Sequence, residues 1–146
     1  MHIHGVSAVV DSQLKEQTCI KSDAGLITSI SFNCTETPDS LHAGTLIPGF
    51  VDIHSHGGGG FYFSDLSPEN VAAARNTHLT HGTTTHIASL VTEPIGVLEE
   101  QILRLLPMVN AGVFEGIHLE GPYLSHARCG AHEPSLLRSP AIDELS

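Results

Sequence analysis

Beyond Pro48 the sequence alternates strand-like runs with helical segments of a dozen or so residues, a rhythm that few architectures accommodate. Phe50 to His56 reads as a strand. Ser67 is a good helix N-cap, Pro68 suits the first helical position, and Glu69 sits where a helix dipole favours an anion, so a helix is expected to run to about His81 with Gly82 as its stop. Thr83 to Val91, rich in β-branched residues, predicts a second strand. A second helix from about Pro94 places Ile95, Leu98, Ile102, Leu105 and Val109 at three- and four-residue spacing; Pro107 should bend its last turn and Gly112 end it. Val113 to Leu119 predicts a third strand, and Ser139-Pro140 the opening of another helix. This is the pattern of a parallel α/β sheet. Three βα units are too few for a barrel that closes with eight strands, so the chain reads as truncated, and residues 1–146 alone are expected to be inactive and poorly folded.

Before Pro48 the pattern is shorter. Ile3 to Val10, Thr18 to Ile20 and Leu26 to Phe32 suggest strands, the last two around a turn at Ser22 to Gly25, and together they predict a small antiparallel unit. A polar stretch, Asn33 to Gly44, precedes the run Thr45-Leu46-Ile47. The domain boundary is expected near Pro48, giving segments 1–48 and 49–146.

Charge narrows the function. Asp and Glu outnumber Lys and Arg by 16 to 6, a formal net charge of -10, and the few cations are scattered, which argues against a nucleic-acid partner. No apolar run is long enough for a membrane span and no signal-peptide pattern opens the chain, so a cytoplasmic location and no membrane partner are expected. Cys19, Cys34 and Cys129 are odd in number and widely spaced, and all three are read as reduced thiols. Histidine is enriched, with 11 residues, which raises the prospect of metal binding or acid–base chemistry.

The strongest motif is Pro48-Gly49-Phe50-Val51-Asp52-Ile53-His54-Ser55-His56, followed by Gly57 to Gly60. Strand alternation predicts that Asp52, His54 and His56 share one face while Val51 and Ile53 take the other. Two imidazoles then meet at the C-terminal end of a strand, where parallel barrels place their sites, and the glycines leave room for a ligand. In Gly116-Ile117-His118-Leu119-Glu120-Gly121-Pro122, Glu120 closes the third strand. On sequence alone it reads equally as a metal ligand or as a solvated carboxylate at a loop entrance. The loop Arg128 to Pro134 follows, and its His132 can polarise a substrate carbonyl. Cys129 lacks an obvious base beyond His126 and His132, which disfavours cysteine catalysis.

These residues resemble a known family. PGFVDIHSHGGGG is similar to the amidohydrolase superfamily generally, and HGTTTHIASLVT with HLEGPYLSHARCGAHEP resembles the N-acetylglucosamine-6-phosphate deacetylases, from about Gly44 to Pro134. The resemblance implies a (β/α)₈ TIM-type barrel preceded by strands of a small β-sandwich domain. It implies a homodimer when full length, acting on a small-molecule amino-sugar phosphate to release acetate. By the same pattern Glu120 is a metal ligand and His54 and His56 match the pair of two-metal members, so one or two divalent ions per site are expected. Ala131 and His132 match substrate-contacting positions. The catalytic aspartate, two later metal-binding histidines and most phosphate-binding residues are expected beyond Ser146. The cofactor is a divalent metal, with Zn²⁺ first and Fe²⁺ or Mn²⁺ as alternatives. Other amidohydrolases, dihydroorotase-like or N-acyl-amino-acid deacylases, more often bridge two metals with a carbamylated lysine, and no lysine follows Lys21. An inactive truncated gene product is the reading from outside enzymology.

Overall fold

The computed structural model describes residues 1–4, 7–33, 40–41 and 44–142. Cys34 and the continuation of the helix expected after Ser139-Pro140 lie outside them, as does most of the polar stretch. The chain divides into two compact units, Met1–Pro48 and Gly49–Ser146.

The first unit is built on tight hairpins. Its strands are β1 (His2–His4), β2 (Ser7–Val10), β3 (Gln13–Glu16), β4 (Thr18–Asp23), β5 (Leu26–Phe32), β6 (Ser40–Leu41) and β7 (Thr45–Leu46). Ala24 and Gly25 both take left-handed dihedrals, φ 48° and 81°, and close the β4–β5 hairpin in two residues. Asp11 and Ser12 do the same between β2 and β3. The polar run of β3 carries no hydrophobic alternation, so the sequence reading missed it; the turn and pairing with β2 define it. The strands form two sheets, ordered β5-β4-β1-β6 and β3-β2-β7. The expected antiparallel unit needs correcting, because β1 pairs with β6 and β2 with β7 in parallel. A second correction concerns Cys19, which is buried and disulfide-bonded rather than reduced.

The second unit runs β8 (Phe50–Ser55), β9 (Gly57–Gly58), β10 (Phe61–Tyr62), α1 (Pro68–Leu79), β11 (Thr83–Val91), α2 (Ile95–Asn110) and β12 (Gly116–Glu120). Its principal sheet has the order β12-β11-β8, all parallel. Ser67 caps α1, its hydroxyl accepting from the Asn70 N–H at 3.3 Å. Pro107 lies inside α2, and Gly112, at φ 71°, follows its C-cap. Phe63, Val71, Ala74, Ala88, Leu90, Leu98, Leu105 and Phe114 form the core between the helices and one face of this sheet.

The pairing of β11 with β8 slips at the point that matters for chemistry. Asp52 lies opposite His86, but Ser55 lies opposite Ala88, so β8 carries one extra residue there. Such a bulge inverts strand alternation. Asp52 and Ser55 therefore both sit beside His86 on the helix-covered face, and His54 and His56 turn to the other. The expectation that Asp52, His54 and His56 share one face is corrected accordingly.

Candidate active site

The end of β8 and the end of β12 supply the first cluster. His54 Nε2 and His56 Nε2 lie 2.9 and 2.7 Å from the same oxygen of Glu120, Oε2. The three side chains offer donor atoms within 4.8 Å of one another. Their orientation is set from behind: His56 donates Nδ1–H to the Ser89 carbonyl at 3.1 Å, and Thr92 donates its hydroxyl to the Glu120 carbonyl at 3.1 Å. The His118 ring packs edge-on to His54 at 4.9 Å, and its Nδ1 is 3.1 Å from the Ser89 hydroxyl.

These contacts carry an electrostatic consequence. A backbone carbonyl only accepts, so His56 keeps its proton on Nδ1, and the neutral ring turns a bare Nε2 toward a carboxylate oxygen. Two acceptors 2.7 Å apart repel unless a cation, a proton or a metal ion, satisfies both. A metal-binding histidine characteristically donates its second nitrogen to a carbonyl in this way. The Glu120 carboxyl responds to the same crowding of donors. Hydrogen bonding from His54 is the largest cause and burial opposes it, with smaller help from His132 and from any proton shared with His56 Nε2; together they hold it at about 2.

The returning loop closes one side of an open cleft of about 470 Å³, a size typical of small-molecule sites. His56, Glu120, Thr92, Leu124 and residues Arg128 to Glu133 line it. His132, largely buried, sits with Nε2 3.5 Å from Glu120 Oε1, and Ala131 lies beside it on the wall. The structure thus brings together His54, His56, Glu120, Ala131 and His132. Cys129 also lines the cleft as a free thiol, its sulfur 3.9 Å from the Gly130 carbonyl oxygen. Ser89 and Thr92 were missed by sequence reading. Both lie in or just after a β-branched strand whose pattern announced only a core.

Glycines shape the approach. Gly59 and Gly60 take φ 63° and 91° and fold Gly57–Gly58 back on Phe61–Tyr62. A Cβ on Gly57 would stand 2.1 Å from the Phe61 carbonyl oxygen, so no larger residue fits directly after His56.

No family model matches the chain. It is 30% identical over 143 residues to the N-acetylgalactosamine-6-phosphate deacetylase of Shewanella sp. (strain ANA-3), covering 92% of this chain and 36% of that protein. It is 39% identical over 106 residues to the N-acetylglucosamine-6-phosphate deacetylase of Bos taurus, covering 67% of this chain and 25% of that protein. Among solved structures, a variant of the N-acetyl-D-glucosamine-6-phosphate deacetylase of Mycobacterium smegmatis, in complex with N-acetyl-D-glucosamine-6-phosphate, superposes with a TM-score of 0.91 at 37% identity, over 99% of this chain and 39% of that one. The chain therefore spans well under half the length of the relatives it matches. At 39% identity over two thirds of its length to one such relative, the chain belongs to the N-acetylglucosamine-6-phosphate deacetylase family.

Proposed function

We propose that the protein to which this chain contributes hydrolyses the acetamide of N-acetylglucosamine 6-phosphate, giving glucosamine 6-phosphate and acetate. The observation that carries the reading is the pair of imidazoles converging on one Glu120 oxygen, with the His56 proton fixed on the far nitrogen. In this proposal His54, His56 and Glu120 hold a divalent cation; imidazole and carboxylate donors suit Zn²⁺, Fe²⁺ or Mn²⁺. Such an ion lowers the pKa of bound water toward about 7 and polarises a carbonyl, which amide hydrolysis requires at neutral pH.

The residues of the chain itself then divide the remaining work. Ser89 and Thr92 keep His56 and Glu120 in register. In this reading His132 and Ala131, which line the cleft beside Glu120, contact the substrate, and His132 donates to the acetamide oxygen. The parallel sheet β12-β11-β8 is read as the opening of a (β/α)₈ barrel, and Met1–Pro48 as strands of a small β-sandwich. The sugar proposed follows the relative of solved structure that holds N-acetyl-D-glucosamine-6-phosphate, 37% identical over 99% of this chain.

The test is acetate release from N-acetylglucosamine 6-phosphate by protein stripped with a chelator and then resupplied with zinc. The expected result is loss of turnover and its recovery. Full turnover in a rigorously metal-free sample would overturn the proposal.

A further inference from the structure

We propose that Asp52, His78 and His86 form a second divalent-cation site, on the helix-covered face of β8, opposite the His54–His56–Glu120 cluster. The three ligands come from three elements, β8, α1 and β11, and their donor atoms lie within 4.8 Å of one another. Asp52 Oδ2 is 4.0 Å from His78 Nδ1 and 3.9 Å from His86 Nε2.

The tautomers point the lone pairs inward. His78 donates Nε2–H to the Gly57 carbonyl at 2.8 Å, which leaves Nδ1 of the neutral ring bare and facing a carboxylate. Asp52 Oδ1 accepts the His54 N–H at 3.1 Å, so Oδ2 is the oxygen left for the cluster. His86 is 2% exposed, wedged edge-on against Phe63 at 5.1 Å and Phe114 at 5.8 Å. Its Nδ1 has no hydrogen-bond partner, and its Nε2 meets the Ser55 hydroxyl. Burial holds the His86 imidazole below its ordinary pKa, with His78 and Arg75 acting in the same direction and Asp52 opposing.

Two imidazole nitrogens and a carboxylate oxygen thus converge, with the His86 ring fixed edge-on against Phe63 and Phe114. Zinc bonds of about 2.0–2.2 Å set tetrahedral ligand separations of roughly 3.3–3.6 Å, so the two carboxylate–imidazole separations, 4.0 and 3.9 Å, each close on an ion with a shift of about half an ångström. An ion on His86 Nε2 would displace the Ser55 hydroxyl from that lone pair, leaving the hydroxyl at hand for the ion or for a water on it. Nitrogen donors select a zinc-like transition ion over Ca²⁺ or Mg²⁺. An ion there would tie the bulge of β8 to α1 and, through His78, to the Gly57 turn.

The proposal stands apart from the reading of the Glu120 cluster, and one experiment separates them. Cobalt chloride is titrated into wild-type protein, into the His54→Ala/His56→Ala variant, and into that variant carrying Asp52→Asn or His86→Phe, following the visible cobalt band. One equivalent retained in the His54→Ala/His56→Ala background and lost on either added substitution is the expected result. No band in that background, or a band indifferent to both substitutions, overturns the second site. Uptake undiminished by His54→Ala/His56→Ala instead counts against the Glu120 cluster alone. Should the added substitutions unfold the protein, as circular dichroism would report, anomalous diffraction from zinc-soaked wild-type crystals decides. A peak about 2.0–2.3 Å from Asp52 Oδ2 and His86 Nε2 supports the site, and its absence overturns it.

Discussion

The two faces of β8 carry the same kind of donor set, two histidines and a carboxylate, in opposite settings. On the open face His54 and His56 reach one oxygen of Glu120 at 2.9 and 2.7 Å beside a cleft. On the covered face Asp52 stands 3.9 and 4.0 Å from His86 and His78, and the His86 ring is buried against Phe63 and Phe114. One bulge between Asp52 and Ser55 separates them. A single extra residue thus gives one strand a cluster beside the cleft and a second cluster anchored on the buried His86.

The sharpest break between the faces is expected at Glu120. Glu120→Gln removes the shared carboxylate, and losing a metal worth several kcal/mol of charge stabilisation lowers acetate release by roughly 10³-fold or more. Cobalt uptake at Asp52 should persist in the same variant. His132→Ala comes next: loss of a carbonyl-polarising donor lowers kcat by about 10²–10³-fold with metal content unchanged. Steady-state kinetics beside elemental analysis checks both, and a fall in metal content on His132→Ala would make that residue a ligand instead.

Gly57→Ala strikes where the faces join, since the residue follows His56 and its carbonyl holds His78. The new Cβ would meet the Phe61 carbonyl at 2.1 Å, and backbone strain of this kind costs about 1–3 kcal/mol. Denaturant melts should show that loss, with metal affinity reduced on both faces. The smallest effect belongs to Ser67→Ala, which removes the cap of the helix carrying His78 and costs about 1 kcal/mol. Ser67 also holds the Glu69 carboxyl below its ordinary value of 4.5. A depressed carboxyl stabilises the fold above its unfolded pKa, and that contribution fades as pH falls below about 4.5. The gap between Ser67→Ala and wild type should therefore narrow in acid and leave acetate release untouched at neutral pH.

The open face was legible in the sequence and the covered face was not. His54, His56 and Glu120 announce themselves through HxH at a strand end and a glutamate before Gly-Pro, both fixed by local spacing. Thr83–Val91 was readable as a strand to the residue, because β-branched content and the flanking Gly82 define it locally. His78 and His86 are marked by nothing local. Their meeting with Asp52 depends on the register of β11 against β8 and on a bulge that alternation cannot foresee. The same limit explains β3, whose polar Gln13–Glu16 is a strand only through its partner, and Cys19, whose disulfide depends on pairing rather than spacing.

The central claim is that the HxH pair and Glu120 hold a divalent ion used in deacetylation. Zinc content and acetate release, measured on one preparation of the His54→Ala/His56→Ala variant beside wild type, test it most directly. The account predicts one zinc fewer per chain and turnover of N-acetylglucosamine 6-phosphate reduced by roughly 10³-fold or more. Unchanged zinc content with unchanged turnover would contradict it.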